Sequence, residues 1–180
     1  KVLLKDQSRS LLKVMLDYKK LLENSELGES SCAPETLNIL SRFCVLSRLK
    51  EHENSNLYSK MRVYDGESLK DTDPKAKTTQ EYKDSAGVDE GMTGVSTRFA
   101  FKVLSATFNY DVEEVTADPV HLMFMLEQSI KREQFPPETE SSYLEFIKDE
   151  LATRYAEFIG NEIQKAYLES YTEYGKNVID

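Results

Sequence analysis

Apolar residues recur at three- and four-residue steps along most of this chain, and that spacing predicts helices. Between residues 8 and 24, Leu11, Leu12, Met15, Leu16, Tyr18, Leu21 and Leu22 fall on one helical face, which Gly28 and the run SSCAP bring to an end. Pro34 stands where a first helical turn tolerates proline, because its missing N–H would find no partner there. Leu37, Leu40, Phe43, Cys44 and residues 46–49 then continue a second helix. A shorter helix over 57–64 stops at Asp65-Gly66, a good turn pair, and residues 67–78 are polar, charged and interrupted by Pro74, as an exposed loop is. A brief helical turn is expected around 80–85.

After the segment GMTGVSTRF at 91–99, the residues Phe99, Phe101, Val103, Leu104, Ala106, Thr107 and Phe108 predict a compact apolar helix. Asp118-Pro119 then reads as a capping acceptor followed by proline at the first helical position, ahead of Val120, Leu122, Met123, Met125, Leu126 and Ile130. Pro136-Pro137 closes that helix. From 141 to 174 a long amphipathic helix is expected, with Leu144, Ile147, Leu151, Tyr155, Phe158, Ile163, Tyr167 and Tyr171 on one face and acids on the other. Some thirty helical residues span roughly 45 Å, more than a small core covers, so part of this helix should pack on residues outside the chain. Gly160 is a weak point or a close-packing site within it. The tyrosines of this helix read as core residues with wet hydroxyls.

Composition agrees with an all-α fold. Seven glycines and five prolines among 180 residues are few for a loop-rich protein, and 39% hydrophobic with 31% charged is ordinary for a chain that folds and stays dissolved. No window approaches a membrane span, and KVLLKDQSRS lacks the apolar stretch of a secretory signal, so a cytoplasmic location is expected. The chain opens on a lysine and stops inside a helical pattern, GKNVID, so it reads as a piece of something longer.

Charge divides the sequence. Residues 111–180 carry 6 Lys+Arg against 16 Asp+Glu, a balance of −10, which leaves 17 against 16, or +1, for residues 1–110. The shift suggests a boundary near 110, and an acidic second half without a basic, aromatic-interleaved stripe argues against nucleic acid as a partner.

Little in the sequence carries chemistry by itself. Cys32 and Cys44 have eleven residues between them and no second pair, so zinc-ligand spacing is absent and two reduced thiols are expected. His52 and His121 lie far apart with no nucleophile motif beside them, and His121 reads as a core residue. Glu113-Glu114 and Asp149-Glu150 read as solvated faces. There is no G-x-x-x-x-G-K-[ST] and no kinase H-R-D or D-F-G set, so the chain alone should not catalyse phosphoryl transfer.

The segment GMTGVSTRF is the exception. Gly94 predicts a backbone conformation that other residues avoid, and Ser96 or Thr97 a helix cap. Arg98 then falls in the first helical turn, where the helix dipole mildly disfavours a cation. An anionic ligand would account for it, since backbone N–H groups and the guanidinium fork would converge on one point.

G-V-S-T-R ahead of an apolar helix resembles the sensor-2 segment of AAA+ ATPases, in which an arginine opening a helix of the small helical lid reaches the terminal phosphate of the nucleotide. Wider stretches are more specific. CAPETLNILSRFCVLSRLKEHENSNLYSKMRVYDGESLKDTDPKAK, GVDEGMTGVSTRFAFKVLS, ADPVHLMFMLEQSIKREQFP and YAEFIGNEIQKAYLESYTEYGKN resemble the PrkA family of bacterial serine protein kinases, over about residues 18–180.

That resemblance implies an N-terminal AAA+ module followed by a kinase-like C-terminal region, acting in stress and starvation responses. Residues 1–110 would be the end of the AAA+ module with its helical lid, and 111–180 the start of the C-terminal helical region. The expected fold is a small lid-like bundle followed by a segment ending in the long helix. Arg98 would be the sensor-2 arginine, with Ser96 and Thr97 shaping its helix start; Arg48 and Arg62 are further candidates for nucleotide or neighbour-subunit contact, or structural residues.

The phosphate-binding loop and Walker B acid would lie upstream, so ATP and Mg are expected in the full-length protein and neither on this chain alone. Implied partners are the rest of its own AAA+ module, a ring of identical subunits and a protein substrate. The whole would couple ATP binding and hydrolysis to protein phosphorylation. Two other outputs compete with this: a helical interaction or regulatory module without a nucleotide role, and an AAA+ machine for proteolysis or chaperoning.

Overall fold

In the computed structural model, residues 11–24, 31–53, 55–69, 71–86, 90–110 and 116–177 are described. The order is α1 (Leu11–Glu23), β1 (Ser31–Cys32), α2 (Thr36–Leu46), α3 (Leu57–Tyr64), α4 (Thr79–Ser85), α5 (Thr97–Phe108), β2 (Thr116–Ala117), α6 (Pro119–Arg132), α7 (Pro137–Glu145), a π-helical turn (Phe146–Leu151) and α8 (Ala152–Asn177). The fold is all-α, as the spacing predicts; β1 and β2 are a two-residue parallel pairing, Ser31 with Thr116 and Cys32 with Ala117. The expected helix end at Gly28 and the pair Glu113-Glu114 lie outside the described residues.

The core is built around α2. Ile39, Leu40, Phe43, Cys44, Val45 and Leu46 are buried on nearly every side of this helix, with α1 against it through Val14, Tyr18 and Leu22. Burial on most sides suits a central helix whose buried polar residues, Thr36 and Ser41, place their hydroxyls on backbone carbonyls. Phe43 meets Phe99 of α5 at 6.4 Å between ring centroids and Tyr143 of α7 edge-on at 5.4 Å. Phe135, in the turn after α6, stands edge-on to Phe99 and Tyr143. One core thus runs from Val14 to Leu151, joining residues on both sides of position 110. A smaller cluster of Val63, Leu69 and Tyr82 holds the 67–78 loop against α3 and α4.

Helix starts follow their caps. Asn56 accepts from the Tyr58 N–H, Thr78 and Glu81 form a reciprocal capping box, and the Asp118 carboxylate accepts from the N–H groups of Val120 and His121 ahead of Pro119. Pro34 departs from the expectation. The helix begins two residues later, at Thr36, after Glu35 in a left-handed conformation (φ 69°). Thr36 explains the delay: its hydroxyl lies within hydrogen-bond distance of the carbonyls of Ala33 and Ala117, the latter on β2, so a distant segment fixes the start.

The long helix also differs. It opens at Pro137, which therefore starts a helix instead of only closing α6, and it widens into the π turn before α8. The Ala152 N–H donates to the carbonyl of Ile147, five residues back, and Phe146, Glu150 and Leu151 are buried at that wider turn. Beyond it every residue from position 159 to 171 is exposed. Tyr167 and Tyr171, expected in the core, are 65% and 69% exposed, on a part of α8 that is left uncovered. Gly160 meets nothing within 4 Å of a Cβ built on it, so it is not a close-packing site in this chain.

Candidate site at the start of helix α5

Residues 91–99 enter α5 through a fixed path. Gly91 (φ 81°) and Gly94 (φ 92°) both occupy the left-handed region. Gly94 needs its missing side chain for a second reason: a Cβ there would lie 2.2 Å from the carbonyl oxygen of Ser47 and 2.9 Å from its hydroxyl. The segment is pressed onto the C-terminal end of α2.

Hydrogen bonds hold it there. The Gly91 N–H donates to the Arg48 carbonyl at 3.0 Å, and the Val95 N–H to the Ser47 hydroxyl at 3.1 Å. Arg48 returns a bond, its guanidinium donating to the Val95 carbonyl at 3.1 Å. Arg48 is only 9% exposed, so its charge serves the interior of this turn. Beside it, burial pushes the Cys44 thiol up to about 11 and raises the Tyr18 hydroxyl well above its ordinary range, with the Arg48 charge opposing both.

One residue before Gly91, Glu90 is fully buried and paired with Lys60 of α3 at 2.7 Å, with both side chains sealed from solvent. The Lys60 ammonium also donates to the Lys50 carbonyl at 2.9 Å, and the Tyr64 hydroxyl donates to Glu90 at 3.3 Å. The rings of Tyr64 and Tyr82 stand 6.0 and 5.6 Å from the ammonium. This ion pair was not foreseen from sequence. Its only trace there is a lysine within the short apolar-faced helix α3 and a glutamate beside the glycines, separated by thirty residues.

The result of this anchoring is the orientation of α5. Ser96 caps it, its hydroxyl accepting from the Phe99 N–H at 3.1 Å, while Phe99 and Ala100 are buried below. The N–H groups of Thr97 and Arg98 belong to the first turn, whose donors a helix cannot satisfy. Arg98 is exposed, and its side chain makes no hydrogen bond or ion pair among the described residues. An uncommitted guanidinium carried on the first turn of a helix, together with that turn's N–H groups, is a donor set that suits a phosphate oxygen. Ser96 is committed to the cap.

The other candidates lie elsewhere. Arg62 pairs with Glu67 at 2.8 Å at the rim of the 67–78 loop. His52 is edge-on to Tyr82, and His121 is not a core residue: it is half-buried, with Nδ1 2.6 Å from the capping carboxylate of Asp118 and its ring against Tyr110. Glu150 corrects the reading of Asp149-Glu150 as a solvated pair. Its carboxylate is 6% exposed and accepts from Arg42 of α2 at 3.2 Å and Arg154 of α8 at 3.0 Å. Among the described residues no group of three His, Cys, Asp or Glu could hold a metal ion, and no helix is long and apolar enough to cross a membrane.

Known proteins resemble this chain strongly. Residues 13–56 match the model of the PrkA AAA domain, and residues 58–180 that of the PrkA serine protein kinase C-terminal domain. The serine/threonine kinase YeaG of Escherichia coli strain K12 is 69% identical over 163 residues, covering 91% of this chain and 25% of the relative. The ATP-dependent protease PrkA of Bacillus subtilis strain 168 is 32% identical over 172 residues, covering 91% and 26%. The chain therefore spans about a quarter of the length of these relatives. No solved structure matches it.

Proposed function

Because the chain belongs to the PrkA family of serine protein kinases, we propose that it is the lid and linker of an ATP-dependent protein serine kinase, with Arg98 as the residue that faces the terminal phosphate. The observation that carries this reading is the uncommitted Arg98 on a helix start that the surrounding turn holds in place. ATP would supply the polyanion and the transferable phosphoryl group. Arg98 would hold a terminal oxygen, Ser96 would keep the helix start closed, and Thr97 would present its N–H beside the guanidinium. A fixed cation is the kind of group that stabilises charge on a transferring phosphoryl group without reorganising. Mg, the phosphate-binding loop and the Walker B acid would come from the rest of the AAA+ module, and a ring of subunits is the assembly this module suggests.

The charge shift supports dividing the chain by role near residue 110, into the end of the AAA+ module with its lid and the start of the C-terminal region. On this division the lid takes in part of the C-terminal family match, which begins at residue 58. Two free thiols support a reducing, cytoplasmic location.

Full-length protein with Arg98→Ala tests the proposal. A several-fold or larger drop in ATP turnover, with an unchanged circular-dichroism spectrum and melting temperature, is expected; wild-type turnover would sink it. Two other readings have specific support. The name of the Bacillus subtilis relative favours a proteolytic output, so labelled ATP and candidate substrates should be followed for phosphorylation and cleavage together. The exposed Ile163, Tyr167, Leu168 and Tyr171 of α8 favour an interaction module, for which Arg98→Ala would leave turnover untouched.

A further inference from the structure

The contacts around residues 90–95 connect three separate elements to the direction of Arg98. Ser47 and Arg48, at the end of α2, hold both faces of Val95, one through its N–H and the other through its carbonyl. Gly94 allows the approach, and Arg48 also receives the Gly91 N–H. Glu90, fully buried on Lys60, fixes the upstream end to α3. The next residue after this clamp is the cap Ser96, and Arg98 is two further on. Between the clamp and the Cα of Arg98 there is little slack: from Val95 onward the backbone is bonded, capped or helical.

We infer that Ser47, Arg48 and Gly94 are positioning residues for Arg98, setting where its guanidinium meets the phosphate while touching no nucleotide themselves. The inference rests on the phosphate-facing reading of Arg98. Its physical content is that the turn is needed for direction, beyond its share in stability. A side chain at Gly94 must push the 91–95 segment off Ser47, since the atom it meets is backbone carbonyl and cannot swing away. That displacement rotates the first turn of α5, and a charge-assisted hydrogen bond weakens steeply with misalignment.

The test is a double-mutant cycle in the full-length protein, using Gly94→Ala and Arg98→Ala alone and together, read by ATP turnover and by affinity for a fluorescent ATP analogue. Arg98→Ala should lower both about tenfold or more, the effect of losing one charge-assisted bond, and Gly94→Ala alone should do nearly the same. If Gly94 acts through Arg98, adding Gly94→Ala to Arg98→Ala should cost less than about twofold further. Equal losses in both backgrounds, or no loss from Gly94→Ala alone, overturn the inference and leave the Arg98 reading standing. Unchanged turnover and affinity in Arg98→Ala overturn that reading and the inference with it.

Should Gly94→Ala fail to fold, Ser47→Ala runs the same cycle with an expected single-variant loss of about threefold, the loss of one neutral hydrogen bond. The same criteria decide it. In nucleotide-free protein, hydrogen exchange at the Val95 amide should quicken in Ser47→Ala, and unchanged exchange there overturns the clamp itself.

Discussion

Replacing Lys60 by methionine isolates the energetics of the pair that anchors this turn. Methionine keeps the length and the apolar stem of lysine, so the packing between Tyr64 and Tyr82 is largely retained and the ammonium alone is lost. Glu90 then stays in a site with no exposure to solvent, without the cation that lies 2.7 Å away in the native chain. Breaking a buried pair from one side costs about 3–5 kcal/mol, because the remaining charge is uncompensated. The freed Lys50 carbonyl adds to that, as it loses the donor at 2.9 Å. At about 2–4 °C per kcal/mol for a protein of this size, the melting temperature should fall by roughly 6–20 °C.

Urea denaturation followed by circular dichroism gives the free energy directly, and Lys60→Met/Glu90→Leu supplies the control. With both charges gone the site becomes apolar, and much of the stability should return, since apolar replacement of a buried pair is often neutral. A loss below about 1 kcal/mol in Lys60→Met, the size expected of an exposed ion pair, would refute the description of a desolvated lock.

Other outcomes follow from the same geometry. Burial raises the Cys44 thiol from 9.0 to about 11, so the folded chain keeps a proton that the unfolded chain releases. That contribution is whole below pH 9 and declines up to about pH 11, by roughly 3 kcal/mol; a Cys44→Ala variant whose stability falls just as steeply over that range would contradict it. In the native state at pH 8 a thiol reagent should modify half-buried Cys32 well before Cys44, and equal rates would show the interior to be open there. Glu150→Ala should cost about 2–3 kcal/mol in urea denaturation, since two guanidinium groups lose their shared acceptor. A change below about 0.5 kcal/mol would place Glu150 among ordinary surface acids.

Local chemistry was legible in the sequence and long-range pairing was not. Asp118-Pro119 and Ser96 each cap the helix their spacing announces, because a cap is decided within four residues, whereas the capping box of Thr78 with Glu81 goes unread at the end of a segment that reads as loop. Gly94 was readable as a left-handed turn for the same reason. That Gly94 also faces the Ser47 carbonyl depends on a segment forty-seven residues earlier, and nothing at 91–99 marks it. Glu150 shows the same limit. Beside Asp149 it looks like half of a wet acidic face, and its burial is made tolerable by Arg154 four residues on together with Arg42, which arrives from α2 and is invisible in the local sequence. Tyr167 and Tyr171 fail differently. Their spacing is that of a core face, and periodicity records that a face is apolar without recording what covers it.

Helix α8 has a mechanical consequence. At 26 residues it is a rod about 39 Å long, held at one end by the π turn and exposed at every position from residue 159 to 171. Its root is tied by Glu150 to Arg42 of α2, and Ser47 and Arg48, just past the end of that helix, grip the turn before Arg98. For a rod of that length a change of about 10° at the root sweeps the tip by about 7 Å. A change of a few ångströms where α8 leaves the core would therefore be read out, at its distant end, as a displacement about the length of a long side chain.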